Sequence, residues 1–188
     1  GGSSDATTGI AEPLVDRVLS TPANRAVQMN AGAAIASGDL LWFLHADTLV
    51  SPDTDKLLLK ALSNSEKQWG RFNIRLSGDA PALRLIERMM NWRSRLSGIA
   101  TGDQGIFIRR STFESLGGYA EIPLMEDIEI SRRLKMTAGR PLCLAHKLTT
   151  SSRRWEQRGV LRTVAFMWRL RLAYALGANP ADLAQHYR

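Results

Sequence analysis

The sequence predicts an α/β fold, a doubly wound and mostly parallel sheet flanked by helices. Segments with helical spacing of apolar residues alternate with short apolar runs along the chain. The run DLLWFLHA is continuously apolar rather than alternating, the pattern of a strand covered on both faces. Helix punctuation falls between the runs, with Gly38 as a stop and Ser51-Pro52 as a start.

In chain order, GGSSDAT is a turn with hydroxyl and carboxylate caps, suited to starting a short helix at Ser4 or Asp5. VDRVLST reads as a short strand. NRAVQMNAGAAIASG has Ala, Val, Met and Ile at helical spacing and should be a helix ending before Gly38. DLLWFLHA is a buried strand. SPDTDKLLLKALSNS is a helix with Ser51 at its N-cap and Pro52 at its first position. QWGRFNIRL is a strand and APALRLIERMMNWRSRLSG a basic helix. TGDQGIFIRRSTFESLGGY gives a glycine-flanked loop, a short strand over 106–109 and a short helix. MEDIEISRRLKMTAG is a helix opening with Glu126 and Asp127, and RPLCLAHKL is a strand. VLRTVAFMWRLRLAYALG is a long helix with an arginine edge, and Pro180 starts a last short one.

The bulk numbers bound the function. A chain of 188 residues suits one well-filled domain. The lone Cys143 excludes an internal disulfide and reads as core packing. No apolar stretch is long and charge-free enough to span a bilayer. The net charge is +7, and residues 151–188 carry +5 of it, with seven arginines against Glu156 and Asp182. Such an end suits nucleic acid, an anionic membrane surface or a phosphate-bearing substrate. The rest of the chain has no basic stripe interleaved with aromatics, which weighs against sequence-independent nucleic-acid binding.

Three acidic points mark candidate chemistry. The run LLWFLHADTLVSP ends in His45 and Asp47, two residues apart, so both can face one spot at a strand's carboxyl end. Ligands bind at such ends in α/β sheets, although a plain strand end and turn would read the same way. Asp103 lies in TGDQG, where it could simply satisfy its turn. Glu126 and Asp127 open a helix, where capping competes with catalysis as the explanation.

In their order, GGSSDAT, NRAVQMNAGAAIASGDLLWFLHADTLVSP, GDQGIFIRRSTFESLGGYAEIPLMEDIEISRRLK and SSRRWEQRGVLRT make the chain resemble the inverting family-2 glycosyltransferases of GT-A, Rossmann-like fold. The closer likeness is to the bacterial radical-SAM/selenodomain-associated subgroup. The resemblance implies that a first strand and helix precede Gly1. It implies a GT-A-like domain over 1–150 and a basic, amphipathic helical extension over 151–188.

The implied reaction moves a sugar from a nucleoside-diphosphate sugar to a hydroxyl acceptor. Asp47 would hold Mg²⁺ or Mn²⁺ against the donor diphosphate, as the last carboxylate of the family's Asp-x-Asp motif. His45 stands where the first Asp would be and would contact the nucleotide or a softer metal. Asp127 would be the general base, with Glu126 beside it. Asp5, Arg25 and Asn30 would serve the donor, and Asp103 and Gln104 the acceptor. SSRRW resembles the family's Gln-x-x-Arg-Trp signature with Ser151 in place of Gln, so Arg154 would meet the diphosphate and Trp155 an acceptor sugar.

Two rival readings stay open: a nucleotide-sugar-binding module without catalysis, and a nucleotidyltransferase on a related fold. The latter would need a glycine- and lysine-rich phosphate loop near the start. His146 reads as a structural strand-end histidine. The long C-terminal helix should bury against the sheet domain or a second subunit, with peripheral contact to an anionic membrane as the lesser alternative. The expected location is the cytoplasm.

Overall fold

The central strand is β3 (Trp69–Leu76), with buried side chains on both of its faces. The computed structural model describes residues 1–187. Around β3 lie β1 (Leu40–Trp42), β2 (Thr48–Leu49), β4 (Phe107–Arg109) and β5 (Leu142–Thr150), in the order β1-β4-β3-β5-β2. The helices are α1 (Thr7–Ala11), α2 (Arg25–Ile35), α3 (Thr54–Ser63), α4 (Pro81–Ser97), α5 (Arg110–Ser115), α6 (Glu126–Thr137), α7 (Arg153–Arg158), α8 (Val160–Ala175) and α9 (Pro180–Tyr187).

The two-sided burial expected of DLLWFLHA is present. Leu41 and Phe43 join Trp69, Ile106 and Ile108 under α2 and α6, whose Ala26, Ala33, Ile130 and Leu134 close that layer. Leu40 and Trp42 point the other way, to Phe72, Phe107 and Leu148 beneath Leu58 and Leu62 of α3. Alternation of side chains along an extended chain produces both contacts from one run.

The sheet is mixed, which corrects the mostly parallel expectation. β3 and β5 pair in parallel, while β1–β4, β3–β4 and β2–β5 are antiparallel. β4 accounts for two of these, entering between β1 and β3 and running against both, and the edge strand β2 runs against β5 for the third. Strand direction is set by long-range pairing, which no local apolar pattern encodes.

Three local expectations also change. VDRVLST forms no strand; Val15, Val18 and Leu19 are exposed and the segment has no ladder partner among the described residues. α3 begins at Thr54 rather than Pro52, because Asp53 at its N-cap takes a left-handed φ of 61°. The Thr54 N–H donates to the Ser51 carbonyl at 3.3 Å, so Ser51 and Pro52 belong to a turn ahead of the helix. Asn24, in contrast, caps α2 as a helix start should, accepting from the Ala26 and Val27 N–H groups at 2.9 and 3.3 Å.

The C-terminal helices fold back onto the sheet domain. Leu170 of α8 and Leu183 of α9 are buried with Leu124, Met125 and Ile128 at the start of α6. Val160 and Val164 pack with Trp155 on Ile74, Leu76, Leu83 and Ile86. The expected burial of α8 is therefore one-sided: Leu161, Trp168 and Leu172 remain exposed. No helix among the described residues is long and apolar enough to cross a membrane.

Candidate active site

A cavity of about 1030 Å³ opens beyond the carboxyl end of β1. His45 and Asp47 line it from the segment that leaves β1, Asp103 from the 3₁₀ turn Gly102–Gln104, and Asp127 from the start of α6. Arg25 lies at one side, and Arg154 and Trp155 come from α7. Seven residues singled out from the sequence thus meet at one place.

His45 is held from two sides. Its Nδ1 lies 3.3 Å from Asp103 Oδ1. Its other ring nitrogen fills the space left by Gly102: a Cβ there would come within 2.3 Å of His45 Nε2. The hydrogen bond to Asp103 raises the imidazole's proton affinity above its ordinary value, against the opposing effect of burial. For Asp103, burial pushes the carboxyl up, but the His45 bond and the positive charges of His45, Arg25 and Arg154 outweigh it, leaving the group below its ordinary value. Together they favour an imidazolium beside a carboxylate.

The start of α6 separates two adjacent carboxylates. Met125, just ahead of them, has φ of 69°, a strained conformation for a residue with a Cβ. Its buried side chain sits against Leu170 and Leu183, so packing of the C-terminal helices holds this turn. Glu126 then points into the protein and is nearly fully buried. Arg25 meets it with Nε at 2.9 Å from Oε1 and Nη2 donating to Oε2 at 3.4 Å. Burial and the neighbouring Asp127 charge raise the Glu126 carboxyl, and Arg25 only partly offsets them.

Asp127 faces the cavity instead. Its Oδ2 accepts the Gly102 N–H at 3.0 Å and its Oδ1 accepts the Ile128 N–H at 2.7 Å. Two backbone donors fix the carboxylate while leaving lone pairs for a ligand.

Other predicted residues lie elsewhere. The Asn30 side chain clasps the Tyr119 backbone, donating to its carbonyl and accepting its N–H, both at 2.9 Å. Gln104 is buried, with its Oε1 accepting from the Thr101 N–H at 3.1 Å. Asp5 is exposed and accepts from Thr7 at the entrance to α1. None of the three lines the cavity. Arg154 lies over the Tyr187 ring, its guanidinium carbon 4.5 Å from the centroid, and donates to the Tyr187 hydroxyl. Trp155 divides its surface between the cavity and the core. His146 is structural, with Nε2 at 2.9 Å from Ser51 Oγ and 3.2 Å from Thr54 Oγ1.

Asp47 is exposed on the cavity wall with no hydrogen-bond or ion-pair partner among the described residues. Among those residues no three or more acidic, histidine or cysteine side chains gather as a metal cage. A single free carboxylate still suits Mg²⁺, which takes one or two protein carboxylates and completes its shell with phosphate and water. Sequence reading missed Gly102, whose glycine-flanked surroundings signalled only a turn, and Arg93 and Arg171, which also line the cavity.

The glycosyl transferase family 2 model matches residues 1–116. None of the curated proteins matches the chain. Among solved structures, the crystal structure of S. aureus TarS 1–349 superposes with a TM-score of 0.62 at 14% identity. The match covers 80% of this chain and 49% of that one, so this chain spans about half that structure's length. The likeness shows a GT-A-like fold.

Proposed function

Because this chain belongs to glycosyl transferase family 2, we propose that it moves a sugar from a nucleoside-diphosphate sugar to a hydroxyl acceptor, inverting the anomeric carbon. The observation that carries this reading is the placement of Asp127: fixed by two backbone N–H groups, it faces the cavity while Glu126 is turned away toward Arg25. Inversion needs one such base within reach of the acceptor hydroxyl.

In the proposed step the acceptor O–H proton passes to an Asp127 oxygen as the hydroxyl oxygen attacks the anomeric carbon. The bond from that carbon to the diphosphate oxygen breaks, and its electron pair leaves with the nucleoside diphosphate. His45, paired with Asp103 next to the Gly102 N–H that holds Asp127, and the Arg154 guanidinium line the same cavity and supply groups that can oppose the charge that develops. Asp47 would hold a divalent metal, which supplies further neutralisation of the diphosphate when bound. The order of the four sequence motifs favours the radical-SAM-associated subgroup. The free thiol of Cys143 suits a reducing compartment, and we place the protein in the cytoplasm.

The test is nucleotide release from a panel of UDP- and GDP-sugars with Mn²⁺, alongside calorimetric titration of UDP and GDP. Asp127→Asn should lower turnover about 10²- to 10⁴-fold with nucleotide binding retained. Asp47→Ala should abolish the Mn²⁺ dependence of nucleotide binding. Turnover untouched by Asp127→Asn would remove the base. Nucleotide binding without turnover in the wild-type protein would favour a binding module.

A further inference from the structure

Two arginines on the cavity wall have no role in the step above. Arg93 lies on α4 and Arg171 on α8, and both line the cavity. Neither has an ion-pair partner among the described residues, and each keeps a buried guanidinium nitrogen without a hydrogen-bond partner, Nη2 of Arg93 and Nε of Arg171. Burial brings the Arg93 group down to about 10, and the neighbouring Arg171 charge adds to the effect. Burial also lowers Arg171. Two half-buried cations that repel each other and form no ion pair among the described residues, with Asp127 acting on them only through space, are costly, and an anion held by both would lower that cost.

The surroundings specify more than charge. On α4, Trp92 and Leu96 flank Arg93; on α8, Met167 and Trp168 precede Arg171, and all four line the same cavity. Trp92, Leu96 and Trp168 are exposed. This half of the cavity is an apolar wall with two arginines set into it. The Asp127 carboxylate acts electrostatically on both arginines, so an anion held by them would lie beside the proposed base.

We propose that Arg93 and Arg171 form an acceptor subsite for a phosphate group joined to an apolar chain, with Trp92, Leu96, Met167 and Trp168 receiving the chain. The acceptor is then an amphiphilic phosphate whose hydroxyl lies near its phosphate, close enough for Asp127 to reach. This deepens the reading under Proposed function and rests on it for the role of acceptor; binding of the phosphate amphiphile can be measured separately.

The probe is dodecyl phosphate, kept below its micelle concentration and titrated against the full chain. Tryptophan fluorescence from Trp92 and Trp168, backed by calorimetry, reads the binding. Inorganic phosphate and dodecyl glucoside are titrated alongside, and UDP with Mn²⁺ reports on the donor side. Dodecyl phosphate should bind saturably and more tightly than either control. Arg93→Met and Arg171→Met should each weaken it about tenfold or more and leave UDP affinity within about twofold. Arg93→Lys and Arg171→Lys, which keep the charge and the fold but lose the planar fork, should weaken it in the same direction and by less.

Unchanged dodecyl phosphate affinity in the methionine variants would overturn the subsite. Dodecyl glucoside binding as tightly would remove the phosphate, and inorganic phosphate binding as tightly would remove the apolar chain. A matching loss of UDP affinity would reassign the pair to the donor. Failure of UDP to bind the wild-type protein would strike the donor reading alone.

Discussion

A methyl group added at residue 102 would fall 2.3 Å from His45 Nε2 and 2.6 Å from Cε1. Gly102→Ala must therefore swing the imidazole away and break its 3.3 Å contact with Asp103. The backbone itself accepts alanine, since Gly102 is absent from the residues with positive φ, and a Gly→Ala change at such a site gains about 0.4–1 kcal/mol through the unfolded chain. Against that stand an off-rotamer ring at about 0.5–1.5 kcal/mol and the lost pair. With 43% of the Asp103 side chain exposed, water screens that pair to about 0.5–1 kcal/mol.

The net destabilisation is then about 0–2 kcal/mol, with a larger effect on function than on folding. Donor binding should weaken about five- to tenfold, while the alanine N–H can still serve Asp127. The sign with pH follows from the two shifts. The raised His45 value contributes stability that is present below 6.5 and lost as pH rises through the folded value. The lowered Asp103 value contributes stability present above 3.8 and lost as pH falls through its folded value. The variant should therefore differ most from wild type between those limits. Proton NMR of metal-free protein resolves His45 from His146 and His186, and its titration should move down in Gly102→Ala. An unchanged titration with unchanged donor affinity would refute the packing argument.

Two further substitutions test the separation of roles. Glu126→Gln should keep stability near neutral pH within about 1 kcal/mol and turnover within about tenfold. The raised Glu126 value makes wild type lose stability as pH rises from 4.5 through the folded value, and urea melts of the variant should lack that component. Asn30→Ala should cost about 1–3 kcal/mol, because the Tyr119 backbone N–H and carbonyl lose their partners. Its donor KM should match wild type, and a raised KM would return Asn30 to the donor site.

Much of the framework was written locally. The two-faced packing of Leu40, Leu41, Trp42 and Phe43 follows from a continuous apolar run, and Asn24 starts α2 as its side-chain chemistry dictates. What sequence patterns do not carry is direction and partnership. β4 is as apolar as a parallel strand would be, and only its pairing with Trp69 and Gly70 on one side and Leu40–Trp42 on the other fixes it as antiparallel. VDRVLST has strand-forming residues, but a strand exists only where a ladder partner is present. β2 was overlooked for the opposite reason: two residues, Thr48 and Leu49, are too few to show a period, yet they pair with Thr149 and Thr150.

The site divides along the same line. Paired carboxylates at a helix start and a histidine-carboxylate step after a strand are visible within a few residues of chain. Which member of each pair meets a ligand depends on residues far away in sequence. Arg25, 101 positions earlier, takes Glu126 and so leaves Asp127 to the cavity. Tyr119, 89 positions later, takes Asn30 out of it. Asp103 takes His45, and in doing so leaves Asp47 as the unpaired carboxylate on that wall. Each of these long-range contacts occupies one polar group and frees another. A site assembled this way can lose function through residues that never touch a substrate, and Arg25→Met should show it: with Glu126 left buried and unpaired, and Arg25 itself partly exposed, protein stability should fall by about 1–3 kcal/mol, well before any donor contact of Arg25 comes into question. A denaturation midpoint unmoved by that change would mean that Glu126 does not depend on Arg25 for its burial, and the division of labour between the two carboxylates would need another cause.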